Sequence, residues 1–191
     1  MRRSKAVLLP VLAAFVSLSL HAPASAQTPD AVPEPGYLRL LDRLDRPDDG
    51  YCLDVLGANG TYRIDMPLTA HNCKPGRAPD GLISLRADGT LYFPAFDQCV
   101  TVMGVNRTAL DGTALMLKPC GVTKAFLRAG EFQTFDLQED GRLVLAGTDL
   151  CVTVGTRSAA TFSSEHAWRA LFMGVCEEVP GERVRWETAF P

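Results

Sequence analysis

Beyond its first 26 residues the chain has no long apolar run, no closely spaced cysteine pair and no excess of positive charge. Each absence excludes something. A helix needs roughly 20 apolar residues to cross a bilayer, so no membrane insertion is expected. Without a C-x2-C or H-E-x-x-H spacing, and with only His71 and His166 after the first 26 residues, no metal site is expected. There is no G-x-S-x-G elbow and no phosphate-binding glycine loop. The adjacent carboxylates Asp48-Asp49 and Glu177-Glu178 sit in loop-like stretches that normally face water. The expectation is a binding protein without cofactors, not an enzyme.

The beginning of the chain reads as an export signal. Arg2, Arg3 and Lys5 form a cationic head, Ala6–Leu20 is a mostly apolar run of 15 residues, and Ala24-Ser25-Ala26 fits the small-x-small cleavage rule. Removing residues 1–26 takes three of the 19 basic residues and none of the 22 acidic ones, which leaves a net charge of about −6. That balance argues against nucleic acid as a partner. Residues 27–36, "QTPDAVPEPG", hold three prolines and no large aromatic residue, the composition of a linker. The protein is expected to be secreted or periplasmic. Asn59-Gly60-Thr61 and Asn106-Arg107-Thr108 are glycosylation sequons only in a host with that machinery.

All six cysteines follow residue 26, an even number that reads as a disulfide framework in an exported chain. They carry a repeat. "YCLDVLG" (51–57), "QCVTVMG" (98–104) and "LCVTVGT" (150–156) each set a cysteine before a strand-like run. Aligning the second cysteines brings Leu68, Leu115 and Leu171 into register, five residues before each. "LRADGTLYF" (85–93) and "LQEDGRLVL" (137–145) match as strand, Asp-Gly turn, strand. Three such units, none able to bury its apolar face alone, suggest a closed threefold arrangement.

This pattern resembles the ricin B-type lectin repeat, over about residues 37–190. The resemblance implies an all-β fold, the β-trefoil, with about twelve short strands in three pseudo-equivalent units at roughly 37–91, 92–143 and 144–190. The family's Q-x-W signature maps to Gly81-Leu82-Ile83, Gln133-Thr134-Phe135 and Val184-Arg185-Trp186. Ile83, Phe135 and Trp186 are therefore the candidates for the threefold core. The repeat also implies pairing within units, Cys52–Cys73, Cys99–Cys120 and Cys151–Cys176, although six cysteines allow 15 pairings.

In ricin-like lectins an aspartate two residues past the first cysteine accepts hydrogen bonds from sugar hydroxyls. An aromatic residue two before the second cysteine stacks on the ring. Carried over, the first unit supplies Asp54 and His71, with Asp80 near the polar pair; the second offers Thr101 and Lys118, the third Thr153 and Gly174. The resemblance thus implies a carbohydrate-binding module with at most one intact site, for a glycan of galactose type. A protein-binding trefoil, such as an accessory subunit of a secreted complex or toxin, is the alternative. Asp54 can equally serve the backbone of the following turn, and His71 can be an exposed strand residue. Trp168 stands where the sister units have the turn residues Asp65 and Gly112. It is either an exposed contact residue or a cover for the adjacent core.

Overall fold

The computed structural model describes residues 32–122 and 129–190. The expected export segment, residues 1–26, and residues 27–31 of the linker lie outside them. The first unit contains β1 (Gly36–Leu40), β2 (Tyr51–Asp54), β3 (Gly57–Ala58), β4 (Thr61–Tyr62), β5 (Thr69–Asn72) and β6 (Leu82–Leu85). The second contains β7 (Leu91–Phe93), β8 (Gln98–Val102), β9 (Leu115–Lys118) and β10 (Phe135–Leu137). The third contains β11 (Leu143–Leu145), β12 (Leu150–Ala160), β13 (Ala167–Val175) and β14 (Trp186–Ala189). Among the described residues four strands per unit make the expected twelve; β3 and β4 form a separate two-stranded ribbon. The protein is an all-β trefoil.

The cysteine phrase sets the same register three times. Cys52 stands opposite His71, Cys99 opposite Lys118 and Cys151 opposite Gly174. Each pairing leaves the second cysteine of the unit two residues further on, and the disulfides are the three within-unit pairs, each with Cα atoms 5.0 Å apart. Closing loops of 21, 21 and 25 residues restricts the unfolded chain, worth about 3 kcal/mol each in the chain-entropy picture.

The Asp-Gly turns reach the left-handed backbone that their hairpins need, at Gly89 (φ 81°) and Gly141 (φ 88°). Each turn also locks onto the next unit. The Phe135 N–H donates to Gly89 O (2.9 Å), and the Trp186 N–H donates to Gly141 O (2.7 Å). A side chain on Gly89 would come within 2.7 Å of Phe135 O. The circle closes where β1 pairs with β14 and Gly36 stands opposite Ile83. Ile83, Phe135 and Trp186 are buried in one apolar cluster with leucines and valines from all three units. Burial of such side chains contributes ~1.5–3 kcal/mol each. The polar atom of Trp186 is satisfied there, Nε1 donating to Val152 O at 2.9 Å.

The third unit departs from its sisters. β12 and β13 run 11 and 9 residues, against 5 and 4 for β8 and β9. An irregularity between Val154 and Ser158 turns the longer hairpin, and β13 then pairs with β5 of the first unit. This lengthening places Trp168 inside a strand, opposite His71, and not in a turn as the alignment with Asp65 and Gly112 predicted.

Candidate functional site

The extension of the third unit builds one wall of a groove in the first. The groove measures about 970 Å3 and is lined by Asp54, His71 and Asp80 together with Lys74. Gly57–Tyr62, the β3–β4 ribbon, borders one side, and Thr161, Phe162 and His166 from the β12–β13 tip border the other. The three residues expected from the first unit are thus brought together. Trp168 is not among them. It is half-buried and lines a separate, shallower depression of about 440 Å3 with Pro67, Leu68 and Phe172.

Asp54 lies at the end of β2 and is 3% exposed. Its carboxylate does not serve the next turn, whose Val55 N–H donates to Asp80 O at 2.9 Å. It accepts from the Lys74 ammonium instead, with Nζ 2.8 Å from Oδ2 and 3.1 Å from Oδ1. The same ammonium donates to Asp80 Oδ2 at 2.6 Å. Lys74 escaped the sequence reading because the disulfide, not a motif, delivers it. It follows Cys73 directly, and the bond to Cys52 swings it beneath Asp54. The available signal was general: a carboxylate buried in a strand needs a cation, and Lys74 is the nearest one past the second cysteine.

Burial pushes the Asp54 carboxyl up to about 7, against the pull of the Lys74 ammonium and with the help of the Asp80 charge. Burial works against the charge of Lys74 too, but Asp54 and Asp80 outweigh it and hold its pKa above the ordinary value. Lys74 is therefore a cation at neutral pH. His71 lies on β5 as a strand residue, yet it is buried and not exposed, at 8%. Burial lowers its pKa, while its bond to the Asn72 carbonyl opposes that shift. Nδ1 lies 2.9 Å from Asn72 O; a carbonyl accepts only, so Nδ1 donates and the neutral ring carries its lone pair on Nε2. The His71 and His166 rings approach to 5.8 Å between centroids, tilted by 34°.

The corresponding residues of the other units bond within their own units. In the second, Gln133 is buried, donates from Nε2 to Thr101 Oγ1 (2.8 Å) and Pro119 O (3.1 Å), and accepts from the Gly121 N–H (2.8 Å). In the third, Thr153 Oγ1 donates to Cys151 O, and a side chain on Gly174 would come within 2.7 Å of that hydroxyl oxygen. The first unit has Gly81 in place of Gln133 for a steric reason. The Tyr37 ring occupies the space, 2.7 Å from where a Gly81 Cβ would stand. Its hydroxyl takes over the bridging, donating to Gly76 O (3.0 Å) and accepting from the Ala78 N–H (2.9 Å). Among the described residues no three His, Cys, Asp or Glu side chains converge as metal ligands would.

No family model matches the chain, and a comparison with curated protein sequences matches nothing. Solved structures do. The chain is similar to the agglutinin from Abrus precatorius, at 19% identity and a TM-score of 0.55, over 87% of this chain and 51% of that one. It therefore spans about half the length of the agglutinin chain. It is similar to the β-trefoil lectin of the Vibrio vulnificus hemolysin/cytolysin, solved with N-acetyl-D-lactosamine bound: 17% identity, TM-score 0.51, covering 82% of this chain and 94% of that one. It is also similar to the mdaA-1 domain, at 15% identity and a TM-score of 0.54, over 88% and 98% of the two chains. These likenesses establish the β-trefoil fold.

Proposed function

We propose that this protein is a carbohydrate-binding module with one sugar site, the groove of the first unit, for a glycan of galactose type. The observation that carries the reading is the convergence of Asp54, His71 and Asp80 on that groove; in the other units Gln133 and Thr153 bond within their own units. A pyranose has a polar rim and an apolar C–H face. Lys74 and Asp80 meet the rim, with charge-assisted hydrogen bonds as the strong ones. His71 accepts a hydroxyl through Nε2, and the Tyr62 ring offers an apolar wall. Asp54, enclosed behind Lys74, is a positioning residue that aims the ammonium. Three disulfides support a secreted or periplasmic setting, where such bonds persist.

The test is titration with galactose-type sugars alongside a glycan array. Millimolar-to-micromolar affinity is expected, lost in Asp54→Ala and in Lys74→Met while near-ultraviolet circular dichroism stays unchanged. A second reading, a protein partner, draws on the depression around Trp168, whose lining of Pro67, Leu68, Ala170 and Phe172 is apolar. A silent array in which both variants also behave as wild type favours that reading.

A further inference from the structure

The tip of the β12–β13 hairpin carries an aromatic ring that the packing of this chain does not require. Phe162 is 86% exposed and borders the groove on the wall across from the β3–β4 ribbon. A phenyl ring left in water forgoes the stabilisation that burial gives an apolar side chain. The backbone on either side of it is nonetheless held. Arg46 of the first unit donates to Ser164 O (3.3 Å) and Glu165 O (3.0 Å), and is itself held by Asp49 at 2.9 and 2.6 Å. Asn72 donates to Asp49 (2.8 Å) and accepts from the Ala167 N–H (3.0 Å). Within the tip, the Thr161 N–H donates to His166 O at 2.7 Å. A polar clamp from one unit thus holds the hairpin of another so that a bare ring stands over the groove.

We infer that Phe162 is the platform of a second subsite, and that the ligand is a neutral oligosaccharide of at least two rings. This rests on the carbohydrate reading above. The first ring meets Lys74 and Asp80 on the floor, and the next lays its C–H face on Phe162. The groove, about 970 Å3, lies at the top of the ~300–1,000 Å3 range of small-ligand sites; a lone pyranose leaves most of it to water. A polar floor beside an aromatic rim repeats the alternation of hydroxyl edge and C–H face along a glycan chain. The charges favour a neutral ligand. The ammonium on the floor is already taken up by Asp54 and Asp80, and Arg63 at the rim is already paired with Asp65 through two 2.9 Å contacts, so neither is left to draw an anion.

The experiment is an array of neutral and sialylated glycans from one to six rings, probed with wild type and Phe162→Ala, followed by titration with the best binder and its isolated terminal monosaccharide. In wild type the oligosaccharide should bind about tenfold tighter than the monosaccharide, and in Phe162→Ala that ratio should fall to about one. Phe162 is exposed, so the variant's fold is not at stake. An unchanged ratio, equal affinity for one ring and several, or a preference for sialylated glycans overturns the inference while leaving the sugar site standing. Silence across the whole array overturns both.

Discussion

The ammonium of Lys74 lies 2.8 Å from a carboxylate oxygen of Asp54, an ion pair whose acidic partner is almost wholly withdrawn from water. A pair of this kind is strongly asymmetric in its effects. Removing one partner leaves the other charge enclosed and unpaired. At about pH 8, above the raised Asp54 pKa, Lys74→Met, which also strips Asp80 of its cation, should cost about 3 kcal/mol in urea denaturation. Adding Asp54→Asn to it should recover part of that loss. A loss under about 1 kcal/mol, the size typical of a surface pair, would show that the pair is hydrated in solution.

The raised Asp54 pKa makes a pH prediction with a definite sign. Between its ordinary 3.8 and about 7 the folded state holds a proton that the unfolded state has released. Its contribution is full below about pH 4 and is lost as pH rises through 7. His71, whose lowered pKa disfavours the cation, works in the opposite direction as pH falls through 6.5. The comparison with Asp54→Asn isolates the first effect. The stability of wild type relative to this variant should decline by a few kcal/mol from pH 4 to pH 7.5. A flat difference would place the Asp54 carboxyl at its ordinary pKa.

Asp45 should govern the acid limb. Burial would raise its pKa, but hydrogen bonds from Ser158, Arg169 and Tyr51 outweigh that and hold it well below the ordinary range. Its stabilising contribution is present above about pH 4 and disappears as pH falls further. Asp45→Asn should flatten the acid limb of a denaturation midpoint plotted from pH 2 to 5. It should also loosen the β12–β13 hairpin, which Asp45 ties to the first unit through Ser158 and Arg169.

Gly81→Ala should be costly although the residue looks like a bare gap in the sequence motif. The added methyl meets the Tyr37 ring at 2.7 Å, an overpacking expected to cost about 1–3 kcal/mol by thermal or chemical melting. Gln133→Ala tests the sister position. Its loss removes the three hydrogen bonds by which the buried Gln133 amide joins Thr101, Pro119 and Gly121, for a cost of about 1–3 kcal/mol. A neutral result at either position would separate that unit from the bridging role described above.

The three cysteine phrases made the fold readable, because identical spacing imposes identical register: Cys52 on His71, Cys99 on Lys118, Cys151 on Gly174. The core triad of Ile83, Phe135 and Trp186 was readable for the same reason. Lys74 and Tyr37 were not. Each acts on a residue that strand pairing and a disulfide within the first unit bring near, Tyr37 lying against Gly81 and Lys74 against Asp54. Periodicity and spacing say nothing about such partners. The burial of His71 and the strand position of Trp168 escaped for another reason. Four extra residues between Cys151 and Cys176 signal a longer loop, but not that the added hairpin folds across a different unit.

The pairing of Leu40 with Trp186 bears on how the molecule is made. These partners stand at opposite extremes of the domain, so a ribosome releasing the chain from its amino end delivers the first half of that seam long before the second. Until the final strand arrives, β1 offers an open flank, and the pocket-bearing unit lacks its closing neighbour. Assembly of the ring is therefore a late step, slowed by a long-range loop closure, and deleting β14 should unsettle the groove of the first unit across the seam it shares with β1.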